Sequence, residues 1–125
     1  MAIVLTIVLA MEARKDRARG DVLSALKRLS SVFQVYLGGQ EVRERRAIVD
    51  LLATISAVEA HHSHPTRPIR IEIRDRSGSI LLNVGQDSER PKEFWVFVPS
   101  SRPASKLDLG LEIGRFRAST FPPEP

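Results

Sequence analysis

With 125 residues, 42% of them hydrophobic and 27% charged, the chain has the size of one domain with its own core and is too apolar for a disordered protein. The lack of cysteine excludes disulfides, thiol nucleophiles and cysteine-ligated metal. The net charge of +4 is unevenly placed: residues 14 to 46 carry nine basic and four acidic side chains, a net of +5, while residues 47 to 125 balance to zero.

The chain starts with AIVLTIVLAM, an apolar run from Ala2 to Met11 that Glu12 ends. It is too short to span a bilayer and has no basic stretch before it, which argues against a secretory signal. Its Ile, Val, Leu and Thr content favours a buried strand, although periodicity alone does not separate strand from buried helix in so short a run. Val22, Ala25, Leu26 and Leu29 then recur at helical spacing and predict a helix over about 18–30. In SVFQVYLGGQEV, Phe33, Val35 and Leu37 alternate with polar positions before Gly38 and Gly39, which predicts a strand, a tight turn and a short second strand.

Ile48, Leu51, Leu52, Ile55 and Val58 share one stripe, predicting a second amphipathic helix over about 45–59. After HHSHPTRP, read as a linker, the period changes to two. Ile69, Ile71 and Ile73 form a half-buried strand, Asp75–Gly78 a turn, SILLNV the returning strand and KEFWVFV another. VGQDSERP and PSSRPASK read as loops. Leu107, Leu109, Leu111 and Ile113 alternate with Asp108, Gly110, Glu112 and Gly114, predicting a long last strand whose glycines invite bulging or close backbone approach. The expectation is a single α+β domain over 1–120, β-α-β-β-α followed by an antiparallel meander, with two main helices packed on a sheet. Residues 121–125, FPPEP, form a Pro-rich disordered tail.

The order strand, basic loop, helix, strand, glycine turn, short strand, helix over about 2–75 resembles the histidine-containing phosphocarrier protein HPr and its relatives. SVFQVYLGGQEV is similar to that family's second strand, turn and third strand, and RRAIVDLLATISA to the helix that begins near its regulatory serine. The resemblance is one of pattern and implies an HPr-like first half. Its chemistry does not carry over. Where the family presents its phosphorylated histidine in a loop of the type HARPA, this chain has Arg17-Ala18-Arg19-Gly20-Asp21, and near the serine stand Arg46 and Ala47. A protonated guanidinium cannot accept a phosphoryl group.

In an HPr-like arrangement Arg14, Lys15, Arg17 and Arg19 would approach Arg43, Arg45 and Arg46 over helix N-termini, where unpaired N–H groups already favour anions. Arginine adds bidentate recognition of phosphate or carboxylate. The expected function is a non-catalytic binding or regulatory module that engages an acidic protein surface or a phosphorylated group, with nucleic acid as the alternative partner. Against this stands a solvated face on which Asp16, Asp21, Glu41 and Glu44 simply pair with the arginines.

His61, His62 and His64 are weak candidates for a metal site, with Glu59 nearby, since a short cluster lacks the separated ligands of established zinc patterns. No glycine-rich phosphate loop, nucleophile elbow or Ser/His/Asp pattern is present, so neither an enzyme nor a cofactor is expected. Arg19-Gly20-Asp21 spells an adhesive tripeptide but reads as a helix-entry turn. The remaining expectations are a cytoplasmic chain, no membrane partner, and homodimerisation through a sheet edge, for which the hydrophobic EFWVFV is the candidate strand.

Overall fold

The computed structural model describes residues 2–57 and 63–123, with side chains described from Leu9 onward. Two helices and six strands follow in the order α1 (Ala2–Lys27), β1 (Gln34–Leu37), β2 (Gln40–Val42), α2 (Arg45–Leu52), β3 (Pro65–Asp75), β4 (Gly78–Asp87), β5 (Glu93–Val98) and β6 (Leu111–Arg117). The strands make one antiparallel sheet ordered β2-β1-β3-β4-β5-β6. The α+β class and the meander stand as expected.

The first strand does not exist. Ala2–Met11 is the first part of α1, which continues through the basic segment without a break. The change of composition at Glu12 marks no structural boundary. No proline or glycine stands between Ala2 and Arg19, and Ala10–Arg19 is rich in strong helix formers, so helix propagates into the apolar run at little cost per residue. Gly20, expected to open the helix, lies inside it. The strand that would begin an HPr-like order is therefore absent.

Among the described residues α1 packs through its second half. Val22 and Leu26 are buried, with Ala18 and Leu23 partly so, and Leu29 just beyond the helix is also half-buried. Across from them the helix-side face of the sheet presents Val35 and Leu37 of β1, Ile71 and Ile73 of β3, Leu82 and Val84 of β4, and Phe94 and Val96 of β5. The register puts Val35 beside Ile73, Ile71 beside Leu82 and Val84 beside Val96, so the period-two pattern of each strand reinforces its neighbour's.

The second helix is shorter than its stripe suggests. It ends at Leu52, where the Thr54 hydroxyl donates to the Leu51 carbonyl and the Ile55 N–H takes the Leu52 carbonyl in a tighter turn. Ser56 then exchanges both main-chain hydrogen bonds with Arg115 at 3.0 Å, extending the sheet beyond β6. Ile48, Leu52 and Ile55 are buried as the stripe required, while Val58 lies outside the described residues.

Three further expectations are corrected. The end of the supposed linker, Pro65–Pro68, already belongs to β3, with an irregularity between Thr66 and Ile69 where Arg67 takes φ 48°. Val84–Asp87 belongs to β4 and not to a loop. The last strand runs Leu111–Arg117 instead of starting at Leu107, which is 90% exposed: the Asp108 carboxylate accepts from the N–H groups of Ala104 and Gly110 and folds that stretch into a turn.

The expected close backbone approach at the glycines is present. A Cβ on Gly110 would lie 2.0 Å from the Val98 carbonyl oxygen, and one on Gly114 2.6 Å from that of Ser56. At the C-terminus Phe121 is not loose. Its ring packs on Phe94 at 5.7 Å and Phe116 at 5.3 Å, while Glu124 and Pro125 lie outside the described residues.

Candidate anion-binding face

The seven basic residues singled out from the sequence fall into two groups. Arg14, Lys15, Arg17 and Arg19 lie along the shaft of α1 and not in a loop over a helix end, so the N-terminal dipole does not act on them. Lys15 and Arg19 share the stripe of Val22 and Leu26 and are only half-exposed. Lys15 pairs with Glu12 at 3.7 Å and Arg19 with Asp16 at 2.6 Å. Arg19 also donates to the Ile113 carbonyl of β6 at 3.0 Å. Its work is structural: it ties the helix to the edge of the sheet. Arg14 and Arg17 occupy another side of the helix, are exposed, and have no ion-pair partner among the described residues.

The second group stands at the start of α2. Phe33 precedes β1, and its ring is almost wholly covered. The Arg46 guanidinium carbon lies 4.9 Å and that of Arg45 6.0 Å from the ring centroid. Stacking on an aromatic face limits the two side chains to a narrow set of orientations while leaving their N–H edges toward solvent. Glu44 at the N-cap position makes no side-chain cap, and no acidic residue lies in the first turn. Neither Arg43, Arg45 nor Arg46 is within ion-pair distance of a carboxylate among the described residues. The acidic neighbours that a self-neutralised surface would use, Glu41 and Glu44, do not engage them.

Composition gave no hint of a buried ionic cluster on the sheet face opposite the helices. Arg115 of β6 is 3% exposed and donates to Glu93 at 3.0 Å and to Glu112 at 3.3 Å, with Asp87 at 3.6 Å. Its guanidinium stacks 3.7 Å from the Trp95 ring centroid. Burial pushes the Asp87 carboxyl up. Hydrogen bonds donated by Trp95 Nε1, Ser63 Oγ and the main-chain N–H groups of Glu89 and Arg90 outweigh that and hold it far below the usual carboxylate range. No buried side-chain polar atom is left without a partner among the described residues, the pattern of a structural network. Its only trace in the sequence is charge within the strands, Arg115 between Gly114 and Phe116 above all.

Beside this cluster Arg90, Lys92, Glu93, Arg117, Ala118 and Ser119 line an open cleft of about 520 Å³. Of its cations Arg90 leans toward Glu93 at 3.8 Å, and Lys92 and Arg117 have no ion pair among the described residues.

His61 and His62 lie outside the described residues. His64 is exposed, and its main chain exchanges hydrogen bonds with Ser88. No group of three or more potential metal ligands occurs among the described residues. The strand EFWVFV, the candidate for pairing with another chain if uncovered, is β5 and is paired on both sides, by β4 and β6. The true edges are the three-residue β2 and the outer side of β6, which Ser56 partly covers. No described helix is long and apolar enough to cross a membrane. No protein-family model, curated protein or solved structure matches this chain.

Proposed function

We propose that this protein is a non-catalytic binding module whose arginines at the start of α2, Arg43, Arg45 and Arg46, receive an anionic group of a protein partner, with Arg14 and Arg17 as outlying cations. The observation that carries the reading is the pair of guanidiniums held over Phe33 with no carboxylate of the described residues in reach. Guanidiniums fixed by stacking keep their paired N–H donors free and lose less entropy on meeting a phosphate or carboxylate. The uncapped first turn of α2 adds main-chain donors to the same place. Lys15 and Arg19, already engaged with Glu12 and Asp16, contribute little to the face.

Fluorescence anisotropy with a labelled phosphoserine peptide, its unphosphorylated form and single-stranded DNA tests the proposal across a salt series. The phosphopeptide should bind, and Arg43→Ala/Arg45→Ala/Arg46→Ala should remove that binding while Lys92→Ala/Arg117→Ala leaves it intact. Preference for DNA with a steep salt dependence would replace the protein partner with nucleic acid. Loss of binding only in the Lys92/Arg117 variant would move the site to the cleft beside Glu93. No binding of any probe at low salt would overturn the reading.

A further inference from the structure

The first ten residues of α1 are left without a role by the face just described. Ala2–Met11 contains no charge and, Thr6 apart, no polar side chain. An apolar run of this length is explained by a buried core element, a signal h-region or an interfacial segment. Burial in the core is ruled out for its described end, because Leu9 is 61% and Met11 49% exposed. Among the described side chains the packed part of the helix begins near Ala18, and Arg19 fixes it at β6. At 1.5 Å per residue the ten cover about 15 Å, half the thickness of a bilayer's hydrocarbon core.

Apolar residues occupy Ile3, Val4, Leu5, Ile7, Val8 and Leu9. Their spacing in the sequence is not confined to an i, i+3/i+4 seam of the kind that a paired helix needs. Immediately after them come Arg14, Lys15, Arg17 and Arg19 against Glu12 and Asp16, a net of +2, and Arg14 and Arg17 have no ion pair among the described residues. An apolar helical end followed at once by exposed arginines complements an anionic lipid surface: acyl chains for the first part and headgroup phosphates for the second.

We infer that the start of α1 is a membrane-surface anchor that lodges Ala2–Met11 obliquely at the headgroup–acyl boundary of an anionic bilayer without crossing it, with Arg14 and Arg17 against the headgroups. A shallow tilt keeps the unpaired N–H groups of the first turn near headgroup oxygens, where they are satisfied. The anchor departs from the expectation of no membrane partner because that expectation depended on Ala2–Met11 being a buried strand, which it is not. It is independent of the arginines at α2.

Co-sedimentation of the full chain with phosphatidylcholine vesicles, with and without phosphatidylserine, decides the matter. Wild type should pellet with the anionic vesicles, and salt should weaken the binding. Leu9→Glu/Met11→Glu, at two exposed positions and with its fold checked by circular dichroism, should abolish it. Arg14→Gln/Arg17→Gln should weaken binding to anionic vesicles by roughly fivefold per charge and leave any binding to neutral vesicles unchanged. Arg43→Ala/Arg45→Ala/Arg46→Ala should have no effect, which separates this result from the proposed function. Absence of vesicle binding by wild type would overturn the inference, as would binding insensitive to Leu9→Glu/Met11→Glu. A concentration-dependent mass lost in that variant, without vesicle binding, would assign the helix end to a second copy of the chain and also overturn it.

Discussion

The Arg19 guanidinium of α1 donates to the main-chain carbonyl of Ile113 in β6 at 3.0 Å, across 94 positions of sequence. Asp16, one turn back on the helix, holds the same side chain at 2.6 Å. The bond fixes where α1 leaves the sheet, and so determines which residues of the helix are packed and which project.

Arg19→Ala should destabilise the fold by about 1–2 kcal/mol, as expected for loss of a charge-assisted hydrogen bond that is only partly desolvated. Arg17→Ala, two positions away and exposed, should stay within about 0.5 kcal/mol of wild type. Urea unfolding of the two variants provides the comparison. Equal stability would show that α1 is held by Val22 and Leu26 alone.

Arg115 pairs with Glu93 and Asp87 in a place that water scarcely reaches, and with the partly exposed Glu112. Arg115→Met should therefore cost about 3–5 kcal/mol, because it strands buried carboxylates and also removes the stack on Trp95. The measurement is again an unfolding midpoint, and a loss below 1 kcal/mol would show that the cluster is open to solvent.

The pH dependence follows from Asp87. Its carboxyl titrates far below its unfolded value of about 3.9. A depressed folded-state pKa means that its contribution is fully present above the unfolded value and is lost as the pH falls through and below about 4. Thermal unfolding of wild type should thus weaken steeply on that side. Asp87→Asn should be less stable than wild type at neutral pH, with the gap narrowing in acid.

Two glycines should respond in opposite ways to alanine. Gly20 lies within α1 with nothing within 4 Å of an added Cβ, so Gly20→Ala should raise stability by about 0.5–1 kcal/mol. Gly114 has φ 150°, and an added Cβ would fall 2.6 Å from the Ser56 carbonyl oxygen and 2.7 Å from Ile55 Cγ2. Gly114→Ala should cost about 1–3 kcal/mol and separate Ser56 from Arg115. Hydrogen exchange at the Ser56 and Arg115 amides would register that separation directly.

The sequence by itself determined the elements whose period is strong and whose partners are near. Ile69, Ile71 and Ile73 with the Asp75–Gly78 turn give the β3–β4 hairpin, Phe33 to Val42 gives β1, its glycine turn and β2, and Ile48 to Leu52 gives the buried stripe of α2. In each case local alternation and turn chemistry agree with the tertiary contacts. The seven basic residues were also visible as a local excess of charge, since charge is a property of composition.

Tertiary structure decided the rest. An apolar run of ten residues carries no period; its helicity follows from the helix formers after Glu12, but only the fold leaves Leu9 and Met11 exposed. The end of α2 was set by Ser56 pairing with Arg115, a contact across 59 residues that no local signal announces. The same long-range geometry separated basic residues that look alike in sequence. Arg19 was drawn into the β6 edge and Arg115 into a buried network, while Arg45 and Arg46 were left stacked on Phe33 with no ion pair among the described residues. Charge is written in the sequence, but whether a charge is already spent depends on which distant carbonyls and carboxylates the fold brings within about 3–4 Å of it.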